Sequence, residues 1–218
     1  MQGIYILDRE SQLMYNKIQA IYDGNDFKPT QPITIKESYS VYITFFEPLK
    51  VSLLPHDEDW AKQFEIIKEE LNKILGNNIT EIYHIGSTAI KNIFSKPILD
   101  IGLSVKNLQA INVIGMDMAG YNYFGEREPG RYLFAKHEQY GSISLQHIHC
   151  YQENNEKLKS QILFCKYLNE HHESAKEYND LKLELVSKYP DDRWAYSRGK
   201  SEFINTVIDL AKSKYCHE

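Results

Sequence analysis

The sequence predicts an α+β fold in which a mixed β-sheet carries helices on one side and a helical segment ends the chain. Two observations lead to this prediction. Segments with strand character are concentrated in the middle of the chain, where apolar residues alternate with polar ones or β-branched and aromatic residues cluster. From Asn155 onward the pattern becomes helical over about 156–170, 173–189 and 192–214, with Pro190 between the last two helices.

The composition is that of an ordinary globular protein. Hydrophobic residues make up 42% and charged residues 25% of the 218 positions, which is enough for one domain with a sizeable core. The formal net charge of −5 argues against a nucleic acid partner. Because no apolar run of about 18 residues and no basic-then-apolar leader occurs, we expect no membrane partner and a cytoplasmic location. The sequence indicates no oligomeric state.

Residues 1–50 are predicted to form a small β-containing extension, and residues 51–218 the main domain. Within the extension, the sequence predicts a short strand over 3–7, a helix over 11–23 and a β-rich segment over 33–47. No chemistry is assigned to this extension.

In the main domain, apolar spacing predicts a helix from an Asp57 cap to a stop at Gly76, then a strand and turn over 79–92. The segment 106–120 predicts a helix with Leu108, Ile111 and Met118 facing inward. Three further strands are predicted, the last two as antiparallel neighbours, with a turn-rich loop over 125–130; they cover 121–124, 131–136 and 143–151.

The segment 83–105 carries the most informative pattern. From Leu99 to Val105, apolar residues alternate with Asp100, Gly102 and Ser104, which predicts a strand with one buried and one open face. Upstream, the bend at 86–88 offers a glycine and free amides that attract phosphate. A phosphate-binding bend near a carboxylate that can hold a divalent cation suits nucleotide chemistry.

These residues resemble the GrpB family of the nucleotidyltransferase superfamily. The clearest strings are His84-Ile-Gly-Ser-Thr88 and Lys96-Pro-Ile-Leu-Asp100-Ile101. Similar strings lie at 51–60, 125–136, 147–149 and 181–204, so the resemblance covers roughly 51–212 in the right order.

The resemblance implies a nucleotidyltransferase-like fold and a transferase that acts on a small molecule with a nucleotide or another phosphorylated ligand and Mg²⁺. In such an enzyme Asp100 would hold the metal, and His149 or His147 would be the general base. The residues implied to bind the phosphorylated ligand are His84, Gly86, Ser87, Thr88, Lys96, Arg131, Lys136, Lys182 and Lys200. Arg131 and Lys136 lie on opposite faces of an unbroken strand, so both reach one site only if a bulge intervenes.

Gly102 departs from the superfamily pattern, because catalysis with two metals needs a second carboxylate at this position. Activity is therefore left open. The alternatives are a non-catalytic nucleotide- or phospho-ligand-binding module and a tRNA-modifying toxin, against which the acidic net charge speaks. His147 and His149 share one face of a strand; they either face a ligand, or bind zinc with a third residue such as His84 or Asp100, or serve packing.

Overall fold

The computed structural model describes residues 3–6, 17–22, 27–29, 41–42, 50–138 and 143–216, the first four of these segments by their backbone alone. Contacts between Cα atoms divide the chain into two compact units, Met1–Pro48 and Leu49–Glu218. Among the helices of the described residues, none combines the length and the apolar character needed to cross a bilayer.

The N-terminal unit contains an antiparallel sheet in the order β3-β2-β1-β4. Its strands are β1 (Gly3–Ile6), β2 (Lys17–Tyr22), β3 (Phe27–Pro29) and β4 (Val41–Tyr42). The strand predicted over 3–7 is confirmed over 3–6. The helix predicted over 11–23 is wrong over 17–22, and its remaining residues lie outside the described ones. Over 17–22, β2 is hydrogen-bonded to strands on both sides, and such pairing overrides a weak helical period in a short apolar run. Of the predicted β-rich segment, 33–40 and 43–47 lie outside the described residues.

The second unit is built on a five-stranded sheet in the order β5-β6-β9-β8-β7. Its strands are β5 (Ile79–Ile85), β6 (Leu99–Val105), β7 (Tyr121–Glu128), β8 (Arg131–His137) and β9 (Ser144–Gln152). Strands β6 and β9 are parallel, and the other neighbours are antiparallel. The predicted α+β class with a mixed sheet is confirmed.

Six α-helices and three short 3-10 helices complete the described part of this unit. The α-helices are α1 (Asp59–Leu75), α2 (Val113–Met118), α3 (Glu156–Glu170), α4 (His172–Lys188), α5 (Arg193–Gly199) and α6 (Ser201–Tyr215). Asp57 is the predicted cap of α1, and its carboxylate accepts a hydrogen bond from the Asp59 amide, 2.9 Å away. Asp192 caps α5 by accepting from the amides of Trp194 and Ala195.

Helices pack on both faces of the sheet, which corrects the prediction that they lie on one side. Side chains of α1 and α2 bury one face together with the apolar residues of β6. On the opposite face, Leu158 of α3 packs with Ile85 and Tyr151. A separate core joins α3, α4 and α6 to Ile90 and Ile93, which follow the 86–89 bend. The chain is long enough to place a helical layer on each face of this part of the sheet.

The predicted open face of β6 is open only at its first polar residue. Ser104 is buried, and a Cβ built on Gly102 would lie 2.5 Å from Cδ1 of Leu158 and 3.2 Å from Cδ1 of Ile85. Apolar side chains therefore fill the space where a second carboxylate would project. Asp100 remains half-buried near the start of the strand.

Three smaller predictions are also corrected. The loop predicted over 125–130 is mostly strand, because β7 runs on to Glu128 through two register shifts and pairs with β8. In the segment 106–120 a helix begins only after the Asn112 cap, so Met116 is buried and Met118 is 84% exposed. The predicted helix over 192–214 is two helices, and Gly199 lies at their junction, where a Cβ would meet Leu185.

Candidate functional site

The parallel pair of strands brings together one aspartate and two histidines. In the register of β6 and β9, Asp100 lies beside His147, and Gly102 lies beside His149. The Nδ1 atom of His147 is 3.2 Å from Oδ1 of Asp100, and the Nε2 atom of His149 is 3.3 Å from the same oxygen. We call Asp100, His147, His149 and the neighbouring Arg131 the carboxylate cluster.

Arg131 reaches the cluster from β8. Its Nη1 atom is 2.8 Å from Nδ1 of His149, and its Nε atom forms an ion pair with Oε1 of Glu128 at 2.5 Å. Lys157 also donates a hydrogen bond to Glu128. Burial acts to raise the pKa of Glu128, but Lys157 and Arg131 outweigh it and lower that pKa. An ionised Glu128 thus anchors the guanidinium that contacts His149.

The pKa of Asp100 lies below its ordinary value. Burial alone would raise this pKa, but the hydrogen bonds from His147 and His149, together with the charge of either ring when it is protonated, act in the opposite direction and prevail. Asp100 is therefore an anion that accepts hydrogen bonds from both rings at neutral pH. The two imidazoles differ in accessibility, since 31% of the His147 side chain is exposed against 15% of the His149 side chain.

The bend predicted as a phosphate cradle lies against this carboxylate. Gly86 has φ +74°, and a Cβ built on it would lie 2.6 Å from Oδ2 of Asp100. Only glycine combines this left-handed backbone with so close an approach. The prediction that the bend and Asp100 lie side by side is confirmed. The Gly86 carbonyl accepts a hydrogen bond from the Cys165 thiol, which ties the bend to α3.

The other side chains of the bend are bonded within the protein. The Ser87 hydroxyl is 3.3 Å from the Tyr178 hydroxyl, and the buried Thr88 hydroxyl is 2.9 Å from Nε2 of His84. His84 stacks on Phe64 of α1, and burial lowers its pKa to about 4. In the register of β5 and β6, His84 pairs with Ile101 and so lies on the sheet face opposite Asp100.

Beside the carboxylate cluster lies a second group of cations. The Nζ atoms of Lys96 and Lys200 are 4.8 and 4.6 Å from the ring centroid of Tyr196 on α5. Lys182 is fully buried on α4 and donates a hydrogen bond to the carbonyl of Phe94. We call Lys96, Lys182 and Lys200 the lysine cluster. Across residues 50–138 and 143–216, none of these lysines forms an ion pair with a carboxylate.

The pKa values of the lysine cluster reflect burial and mutual repulsion. Burial, followed by the charge of Lys96, lowers the pKa of Lys200 to about 8, and the Asp100 charge partly opposes this. Burial and the Lys200 charge lower the pKa of Lys182 to about 7. Burial and then the charge of Arg193 lower the pKa of Lys96, again against the attraction of Asp100. The cluster is thus electropositive and within electrostatic reach of the carboxylate.

Not every predicted residue joins this region. Lys136 lies on the face toward α1, with Nζ 3.5 Å from Oε1 of Glu70 and 4.7 Å from the ring centroid of Tyr121. In the pairing of β8 with β9 no register shift falls between Arg131 and Lys136, so the two point to opposite faces as their spacing requires. Sequence reasoning did not select Arg193, although it lies in a string that matched the family.

A mixed five-stranded sheet with an acid–base cluster on its parallel pair and cations beside it defines the class of protein: an α+β protein with a polar, anion-attracting cleft. The comparison with known families identifies it further. The family described as GrpB protein matches residues 50–210, and this chain belongs to that family.

Three relatives illustrate the similarity. The chain is 35% identical over 185 residues to UPF0157 protein YqkA of Bacillus subtilis (strain 168), covering 82% of this chain but only 53% of that protein. It is 33% identical to Glutamate-rich protein GrpB of Alkalihalophilus pseudofirmus, covering 73% of this chain and 95% of that protein. The crystal structure of conserved protein GrpB from Enterococcus faecalis superposes with a TM-score of 0.71 at 29% identity, covering 76% of this chain and all of that one.

Proposed function

We propose that this protein binds a phosphorylated small molecule, in the first instance a nucleotide, and acts as a nucleotidyltransferase on a small-molecule acceptor. The observation that supports this proposal is the pair of ammonium groups on Tyr196. Lys96 and Lys200 lie within 5 Å of one ring without a carboxylate partner in the described part of the chain. Like charges held together in a partly buried place repel each other, and a bound polyanion removes that repulsion.

The surroundings of this pair suit a phosphate chain. Arg193 adds positive charge near Lys96, and both lysines respond to the charge of Asp100. A ligand whose phosphates contact the lysines therefore brings its reacting end toward Asp100 and the Gly86 bend. Lysine ammonium groups bind phosphate as point charges.

Mg²⁺ held by Asp100, as the family resemblance implies, does not fit the donor set. Oδ1 of Asp100 already accepts from His147 and His149, and Oδ2 lies against Gly86. Mg²⁺ needs octahedral oxygen coordination, and the neighbouring position is Gly102 beneath apolar side chains. We therefore derive no step through a magnesium ion on this aspartate; Mg²⁺ enters only as the counterion that a nucleotide carries on its own phosphates.

A thermal-shift panel of nucleoside triphosphates, with and without Mg²⁺, tests the proposal. We expect at least one nucleotide to raise the melting temperature by about 3 °C. Lys200→Met and Lys96→Met should abolish this rise. Lys176→Met is the matched control, because it removes the same charge from an exposed position on α4. The proposal is wrong if no nucleotide raises the melting temperature, or if Lys176→Met reduces the rise as much as Lys200→Met does.

One observation favours a second candidate, a non-catalytic module that binds the same ligand. The space for a second carboxylate at Gly102 is filled by Leu158 and Ile85, so the fold lacks the usual metal-binding pair. Incubation of a nucleotide that binds with a mixture of acceptor alcohols separates the two functions. Pyrophosphate release that requires His147 supports the transferase, whereas binding without turnover across the acceptor set supports the module.

A further inference from the structure

We infer that His147, oriented by Asp100, is the general base of this site, and that Arg131 fixes His149 as a hydrogen-bond donor to Asp100 rather than a second base or a metal ligand. The inference deepens the proposed function, on which it rests for its substrate, an acceptor hydroxyl. The heavy-atom contacts determine where the protons of both imidazoles lie.

The Asp100 carboxylate accepts hydrogen bonds and donates none, so both contacts to Oδ1 are made by imidazole N–H groups. His147 donates from Nδ1, which leaves the lone pair of its neutral ring on Nε2. An aspartate that holds Nδ1–H while Nε2 faces a reactant is the arrangement by which carboxylate–histidine pairs place a base. His147 is also the more exposed of the two imidazoles.

The proton of His149 is fixed by a different neighbour. A guanidinium has N–H donors and no acceptor, so Arg131 donates to Nδ1 of His149 across 2.8 Å. The lone pair of His149 is thereby occupied, and its single proton sits on Nε2, which faces Asp100. Protonating Nδ1 would place a second positive charge against the guanidinium. His149 thus holds the carboxylate in place and takes no proton from a substrate.

Asp100, His147 and His149 are also close enough together to hold one metal ion. Their ligand atoms lie within 4.8 Å of one another, and the Asp100 contacts of 3.2 and 3.3 Å are near the separation of about 3.3 Å between ligand atoms around a tetrahedral zinc ion. A metal-bound histidine, however, donates its other N–H to an acceptor. His149 instead faces a donor there, which favours the acid–base assignment.

In the transfer step, Nε2 of His147 takes the proton of the acceptor hydroxyl as the hydroxyl oxygen forms a bond to phosphorus. The bond from phosphorus to the leaving pyrophosphate breaks, and pyrophosphate departs with that electron pair. Lys96 and Lys200 offset the negative charge on the leaving group. The proton on His147 is then released to solvent, which restores the base.

Two measurements on the wild-type protein test the proton assignment. Nitrogen-15 NMR of the imidazole rings distinguishes the tautomers, and we expect Nδ1–H on His147 and Nε2–H on His149. Diethyl pyrocarbonate acylates imidazole nitrogens with a free lone pair, and mass spectrometry of peptides reports each site. We expect His147 to react about tenfold faster than His149, because only its lone pair is free.

A variant pair sharpens the test. Arg131→Met frees Nδ1 of His149, so the acylation rate of His149 should rise several-fold while that of His147 is unchanged. Arg127→Met, an exposed neighbour on β7 with the same charge change, should leave both rates as they are. Circular dichroism confirms that each variant is folded before its rates are compared.

Three outcomes would overturn the inference: the opposite tautomer on either ring, faster acylation of His149 than of His147 in the wild type, or stoichiometric Zn²⁺ binding that is lost in both His147→Gln and His149→Gln. The failure of the proposed function has a separate signature. If saturating nucleoside triphosphate does not protect His147 from acylation, the ligand does not bind at this site, even when the tautomers are as assigned.

Discussion

The carboxylate cluster and the lysine cluster are both polar and partly buried, but their charges are balanced differently. In the first, Asp100 faces two imidazole N–H donors, and Arg131 faces Glu128. In the second, ammonium groups are gathered around Tyr196 without a carboxylate partner in the described ranges. Both clusters lie in the second unit, and the charge of Asp100 acts on Lys96 and Lys200.

The difference separates two tasks. A balanced cluster holds its side chains in one arrangement without a ligand, which suits groups that must present a lone pair in a fixed direction. In an unbalanced cluster the like charges repel each other, and a bound anion would reduce this repulsion, which favours binding. We therefore assign orientation to the carboxylate cluster and affinity to the lysine cluster, and three predictions test this division.

The largest effect is expected at Lys182, which we assign to structure within the lysine cluster. Lys182→Ala removes a fully buried side chain and leaves the Phe94 carbonyl without its donor, so we expect a loss of about 3 kcal/mol in the free energy of unfolding. Lys182→Met keeps the packing and relieves repulsion, so the loss should be about 1 kcal/mol or less. Urea denaturation measures both. Equal losses would show that the aliphatic stem of Lys182 contributes nothing.

A smaller effect is expected at the bend that meets the carboxylate cluster. Gly86→Ala adds a methyl group 2.6 Å from Oδ2 of Asp100 at φ +74°, so we expect a loss of about 2 kcal/mol from strain and displacement of the carboxylate. Gly125→Ala is the matched control, because it has φ +82° with nothing within 4 Å. It should lose only about 1 kcal/mol. Thermal or urea unfolding compares the two, and a smaller loss at Gly86 would mean that Asp100 is not held against the bend.

The smallest effect, and the only gain, is expected at Lys200. Its pKa of about 8 in the folded protein lies below its ordinary value of 10.5, so between these pH values the unfolded chain binds more protons. The free energy of unfolding should therefore rise with pH across this window, in step with the loss of the proton from the folded state. Lys200→Met should stabilise the ligand-free protein at pH 7 by about 1 kcal/mol and flatten the rise.

Urea titrations of Lys200→Met at several pH values measure this effect, with Lys176→Met as the exposed control. The variant that gains stability should be the one that loses nucleotide binding. A stabilised Lys200→Met variant that still bound nucleotide would break the division between the two clusters.

The prediction of the fold rested on signals that are local and strong. The strand predicted at β6 and the helix predicted at α1 are correct because the apolar residues of both elements pack into one core. The error over 17–22 arose because this apolar segment is too short for its spacing to distinguish a helix from a strand. The covered face of β6 was not predictable, since Leu158 lies far along the chain and only the tertiary fold brings it over Gly102.

For the candidate site, the sequence provided residues but not roles. It selected Asp100, His147, His149 and Arg131. A sequence does not show, however, which ring nitrogen of each histidine carries the proton. The contact between Arg131 and His149 depends on register between β8 and β9, which no local pattern encodes. Lys136 met the same criteria as Arg131, but strand geometry placed it on the other face.

The parallel pairing of β6 with β9 decides whether the carboxylate cluster forms at all. Asp100 lies beside His147 only because β6 and β9 align in one register, although β7 and β8 separate these two strands along the chain. A slip by a single position would turn both imidazoles to the other face of the sheet and leave Asp100 beside Gln146 or Ile148. The oriented base that we propose therefore exists only after β9 has paired with β6.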